Sequence, residues 1–142
     1  MILLDVNVLI YAFREDSSHH SEAMSALRNF GRAGLPLAWH PSLFAAVTRI
    51  CTNRAIYPDA STLGECLNYA EAFRALPAAV PISESPDFWE TFSTLLKTYN
   101  VTGRAISDYY WAALAVDHGA TLCSADQKFG QIMELRWHNL LC

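Results

Sequence analysis

Ile2-Leu3-Leu4-Asp5-Val6-Asn7 is the stretch from which the architecture unfolds. Three aliphatic residues lead straight into an aspartate, and Val8-Leu9-Ile10-Tyr11-Ala12-Phe13 continues as an apolar helix. An unbroken apolar run with β-tolerant residues reads as a strand buried on both faces, as in parallel sheets. Asp5 then stands at the carboxyl end of that strand, where open α/β folds bind their ligands. A plain helix-capping role suits it equally well, and the remainder of the chain has to choose between the two.

Strand and helix signals alternate outward from there. A loop at 14–18 precedes a helix that begins near Ser21, runs through Ala23, Met24, Leu27 and Phe30, and is stopped by Gly31 and Gly34. Leu35 to Trp39 is a short second strand with Pro36 near its start, where a missing donor is tolerated. Pro41 suits the first turn of a third helix, which extends through Leu43, Phe44, Val47 and Ile50 to about Asn53. A fourth helix carries Leu63, Leu67, Ala70, Phe73 and Leu76 on its apolar side, and Val80-Pro81-Ile82 makes a weak third strand.

Ser85-Pro86-Asp87 opens a fifth helix, with serine as cap, proline in the first turn and an acid beside the helix dipole. It reaches about Tyr99, and a sixth helix covers Ile106 to His118 before Gly119. Ala120 to Ser124 is a fourth strand, followed by a short helix near Phe129 and a last strand around Leu135-Arg136-Trp137. The alternation predicts an α/β fold, a three-layer α/β/α arrangement around a short parallel sheet of four to five strands. No repeat, low-complexity tract or linker divides the chain, so residues 1–142 are expected to form one domain.

Composition narrows the class. Of the 142 residues, 52% are hydrophobic and 17% charged, the balance of a packed globule and not of a disordered chain. A formal net charge of −4 argues against a broad nucleic-acid-binding face but allows a local basic rim, since eight of the ten basic residues are arginine. Cys51, Cys66, Cys123 and Cys142 show no metal-ligand spacing and read as thiols of a reducing cytoplasm. No apolar stretch approaches the roughly 18 residues of a membrane span. A soluble cytoplasmic protein with no membrane partner is expected.

Geometry brings three acids together. Gly119-Ala120 is too short a link for the chain to wander, so the sixth helix ends at the amino edge of the sheet and begins at its carboxyl edge. Asp108 in its first turn, Asp5 after the first strand and Asp126 after the fourth therefore fall on one edge. Each alone reads as a cap, a first-turn acid or a turn residue. Together they raise one another's pKa unless a cation intervenes. An all-oxygen set favours Mg²⁺ or Mn²⁺ over zinc, an ion suited to phosphoryl chemistry. Asn7 and Ser124 are candidates to orient these carboxylates, or else simply cap and finish their elements. Arg49 and Arg104 are candidates to grip phosphate, with surface salt links an equal account. The four tryptophans, Trp39, Trp89, Trp111 and Trp137, are expected in the core, and Asp117 is expected to be solvated.

These residues also carry a family resemblance. Leu4-Asp5-Val6-Asn7-Val8-Leu9 resembles the opening L-D-x-N-V-L of PIN-domain nucleases. Ser107-Asp108-Tyr109-Tyr110-Trp111-Ala112-Ala113-Leu114-Ala115 and the later Thr121-Leu122-Cys123-Ser124-Ala125-Asp126-Gln127-Lys128-Phe129 resemble their second half. Leu135-Arg136-Trp137-His138-Asn139 is similar to the closing motif of VapC-type toxins. The resemblance implies a Mg²⁺- or Mn²⁺-dependent endoribonuclease, the toxin of a toxin–antitoxin pair. It further implies an RNA substrate, a VapB-like antitoxin, pairing as a homodimer, and Asp5, Asp108 and Asp126 as catalytic metal ligands. One position departs: where many members carry a glutamate three residues before an arginine, this chain has Ala46 before Arg49. A single tightly bound ion, with another recruited by the RNA phosphate, is expected in consequence.

Two other functions stay open on sequence alone. A degenerate PIN domain that binds RNA or a partner without cutting fits the Ala46 departure. A haloacid-dehalogenase-like phosphatase fits Asp5-Val6-Asn7 only partly, because the second acid of its motif is missing and neither lysine offers an obvious partner.

Overall fold

A computed structural model describes residues 1–142. Its elements run β1 (Ile2–Leu4), α1 (Val6–Phe13), α2 (His20–Arg32), β2 (Leu37–Trp39), α3 (Pro41–Cys51), α4 (Leu63–Arg74), β3 (Ala79–Pro81), α5 (Phe88–Thr98), α6 (Ala105–Asp117), β4 (Thr121–Ser124), a 3₁₀ turn (Gln127–Gln131) and β5 (Arg136–Asn139). The expected three-layer α/β/α fold is present, with five strands in order β3-β2-β1-β4-β5, every neighbouring pair parallel.

That order fixes where the helices go. Crossovers between parallel strands are right-handed. The steps from β1 to β2 to β3 therefore carry α1 to α4 over one face, and the return from β3 to β4 carries α5 and α6 over the other. The direction of travel reverses between β1 and β4, which creates a crevice at their carboxyl ends. Leu3 and Leu4 of β1 and Leu122 and Cys123 of β4 have no exposed surface, consistent with central strands covered on both sides. Ala112, Ala113, Leu114 and Ala115 of α6 are equally buried, so this helix is packed into the core beside the sheet.

Several sequence expectations shift. Gly31 lies inside α2 and only Gly34, at φ 66°, takes the left-handed conformation after the helix. α5 begins at Phe88, with Ser85 held in the preceding turn, where its Oγ accepts from the Asp87 N–H at 3.2 Å. On α4 the buried positions are Cys66 and Phe73, whereas Leu63 and Leu67 face outward. Its Thr62–Glu65 capping box fixes where the helix begins, and packing of Phe73 on Phe44 selects the inward stripe. Trp111 is in the core and Trp39 and Trp137 pack against it, but Trp89 is exposed. All four cysteines are free thiols. No helix is long and apolar enough to cross a membrane.

Candidate active site

Asp5 follows β1 directly and its position is over-determined. Its N–H donates to the Cys123 carbonyl at 3.0 Å, which continues the β1–β4 ladder one residue past the strand. One carboxylate oxygen accepts from the Val6 N–H at 2.8 Å, capping α1, so the capping role and the strand-end role coexist in one residue. The other oxygen accepts the Ser124 hydroxyl at 2.8 Å, and Ser124 Oγ in turn accepts from the Asp126 N–H at 3.0 Å. Ser124 is fully buried and thereby ties the first and last acids together across the crevice. Asp126 caps the 3₁₀ turn through the Lys128 N–H at 3.0 Å.

Electrostatics follow from this burial. Only 5% of Asp5 is exposed. Burial pushes its carboxyl up to about 6 against the opposing pull of the Ser124 and Val6 hydrogen bonds, and the charges of Asp108 and Asp126 push it further. Asp108, in the first turn of α6, is also raised, by burial first and by Asp126, while the Lys128 ammonium lowers it. Asp108 and Asp126 line one small recess with Lys128, Tyr109 and Phe129. Lys128 Nζ lies 3.4 Å from Asp126 and 3.8 Å from Asp108.

The donor set suits a hard divalent ion. Three carboxylates, two of them destabilised as anions by their surroundings, gain most from a compact positive charge. As the side chains stand they do not close on a single point that would hold an ion, and the cation nearest to two of them is the lysine.

The other sequence candidates separate. Asn7 is exposed in the first turn of α1 and is not the cap. Arg49 lines a groove between α3 and α4 with Trp39, Phe44, Leu67 and Arg74, and makes no hydrogen bond to the aspartates. Ala46 is half-buried, and the acids that raise Asp5 are Asp108 and Asp126. Glu84, at the same edge of the sheet, is engaged by His40 at 3.0 Å and by the Tyr110 hydroxyl.

Sequence reasoning missed three residues. Lys128 does have partners at the site. Asp117 is not solvated: its side chain is 5% exposed and accepts the Ser85 N–H at 3.0 Å and hydroxyl at 2.5 Å, pinning the entry to α5 onto the end of α6. Arg14 is buried, forks onto Asp16 at 2.7 and 3.0 Å, and lies 3.9 Å over the Tyr57 ring. A lone lysine two residues past a turn aspartate was the one available signal for the first. Nothing local marked the other two.

The comparisons with known proteins identify the family and the fold. The PIN domain family matches residues 2–135. VapC ribonuclease Mb2897 of Mycobacterium bovis is 31% identical over 141 residues, covering 99% of this chain and 96% of the relative. Ribonuclease VapC37 of Mycobacterium tuberculosis is 29% identical, covering 96% and 95%. Among solved structures, VapBC2 of Rickettsia felis bound to a promoter DNA fragment superposes with a TM-score of 0.73 at 17% identity over 98% of both chains. VapC20 of Mycobacterium tuberculosis, a toxin that cleaves the sarcin-ricin loop, gives 0.63 at 13% identity over 96% of this chain and 99% of that one.

Proposed function

The chain belongs to the PIN-domain family, in its VapC branch, and on that premise we propose that it is a divalent-ion-dependent endoribonuclease serving as the toxin of a toxin–antitoxin pair. The observation that carries the reading is the crevice between β1 and β4, where Ser124 joins Asp5 to Asp126 and Asp108 reaches in from α6. Asp5, Asp108 and Asp126 would hold Mg²⁺ or Mn²⁺. When bound, such an ion supplies positive charge against the scissile phosphate and generates a nucleophile from water.

The chain's own groups do the rest. Ser124 fixes the orientation of the Asp5 carboxylate, and the Val6 N–H holds its other oxygen. Burial raises the Asp5 carboxyl to about 6, so a proton competes with an ion for it increasingly as the pH falls below that value. Looped or single-stranded RNA is the substrate form this reading expects at the carboxyl edge of the sheet.

A VapB-like antitoxin is the partner this family membership points to. The groove between α3 and α4, about 650 Å³ and bordered by the outward-facing Leu67, offers its helix an apolar seat. Homodimer pairing and a cytoplasmic site of action complete the reading. Purified protein given Mn²⁺ and structured RNA is expected to cut it. Chelator and Asp108→Asn should each abolish cutting while the circular dichroism spectrum is unchanged.

A non-cleaving PIN domain that only binds RNA is favoured by one observation, Ala46 at the departed position. RNA bound but uncut in that same assay would select it.

A further inference from the structure

We propose that Lys128 is a phosphate-binding residue of this site, its ammonium held between two of the acids that would bind the divalent ion. The inference rests on the nuclease reading above and deepens it by naming a residue that contacts the substrate.

Lys128 Nζ sits 3.4 Å from Asp126 Oδ2 and 3.8 Å from Asp108 Oδ2, so one ammonium spans two of the three clustered acids. It is the cation that lowers Asp108. No other lysine or arginine forms an ion pair with Asp5, Asp108 or Asp126; the remaining lysine or arginine ion pairs are Arg14 with Asp16 and Arg74 with Glu71.

Two features make the ammonium displaceable. Its side chain is 70% exposed, so water solvates it and the two ion pairs hold it weakly. A lysine head is also a compact charge on a flexible four-carbon stem, free to swing without moving the backbone. That backbone is fixed, because the Lys128 N–H donates to Asp126 Oδ1 at 3.0 Å and the neighbouring Phe129 is buried.

With Asp108 and Asp126 engaged by a divalent ion, the flexible Lys128 stem would be free to turn its charge toward an RNA phosphate at the same recess. Lysine serves such a contact as a point charge. The net charge of −4 makes this single placed cation the more consequential for a polyanionic substrate.

Calorimetric titration of Mn²⁺ at pH 7.5 into wild type, Lys128→Met and Lys128→Arg, together with KM and kcat for RNA cleavage, tests both halves. Removing the competing charge should tighten Mn²⁺ binding by roughly tenfold in Lys128→Met, with Lys128→Arg close to wild type. The KM for RNA should rise several-fold in Lys128→Met and recover in Lys128→Arg, with kcat much less affected. An unchanged Mn²⁺ isotherm in Lys128→Met overturns the competition between the ammonium and the ion for the acids, and an unchanged KM overturns the phosphate contact. If wild type itself neither binds Mn²⁺ nor cuts RNA, the nuclease reading fails and takes this proposal with it. Thermal melts of the three proteins, expected to coincide within a few degrees, separate these outcomes from misfolding.

Discussion

Ser124 donates its hydroxyl to Asp5 at 2.8 Å across the junction of β1 and β4, although the two residues stand at opposite ends of the chain. The same oxygen accepts from the Asp126 N–H, so a single buried hydroxyl sets the spacing of two acids. Ser124→Ala should leave the fold intact and lower RNA cleavage by about 10- to 100-fold, the usual range for groups that orient a metal ligand. Cleavage kinetics beside a thermal melt check this. A full-rate Ser124→Ala variant would show that Asp5 needs no such support.

The Asp5 carboxyl gives the metal-free protein a distinctive pH dependence. It ionises at 3.8 in the unfolded chain and at about 6 in the folded one. The unfolded state therefore sheds its proton first as pH rises, and stability is lost between those values and stays lowered above them. Asp5→Asn lacks this loss. In chelator its advantage over wild type should widen from pH 4 to pH 6.5 by up to about 3 kcal/mol and then level off. Urea melts across that range measure it, and a constant gap would refute it. The variant should be inactive at every pH.

Asp117 shows that a second acid on α6 has purely architectural work. Replacing it with alanine leaves the Ser85 N–H and hydroxyl without their acceptor in a site that is 5% exposed at the acid. The expected cost is about 1–3 kcal/mol, read as a lower urea midpoint. RNA cleavage well below the melting temperature should be retained, in contrast to Asp108→Asn on the same helix.

Gly130 is required by close approach and not by backbone conformation. A Cβ there would lie 2.7 Å from the Trp137 ring. The Trp137 indole N–H is bonded to the Ser124 carbonyl at 3.2 Å, so the ring cannot retreat without releasing the end of β4. Gly130→Ala should destabilise by about 1–3 kcal/mol. Trp137→Leu in the same background should relieve the clash, a rescue visible by thermal melt.

Much of this molecule was legible along the chain because the relevant physics is local. Apolar runs, turn residues and the Gly119-Ala120 link suffice to order strands and helices, and that order alone sends Asp5, Asp108 and Asp126 to one edge of a parallel sheet. Ser124 beside Asp126 and the capping position of Asp5 are likewise near-neighbour matters. Folding alone settled what depends on contacts between distant segments: that Ser124 reaches Asp5, that Lys128 spans Asp108 and Asp126, that Asp117 is buried under Ser85, and that Arg49 turns instead to the α3–α4 groove. Periodicity is blind to these, because the direction in which a long polar side chain points is chosen by the charges and donors that tertiary packing brings beside it.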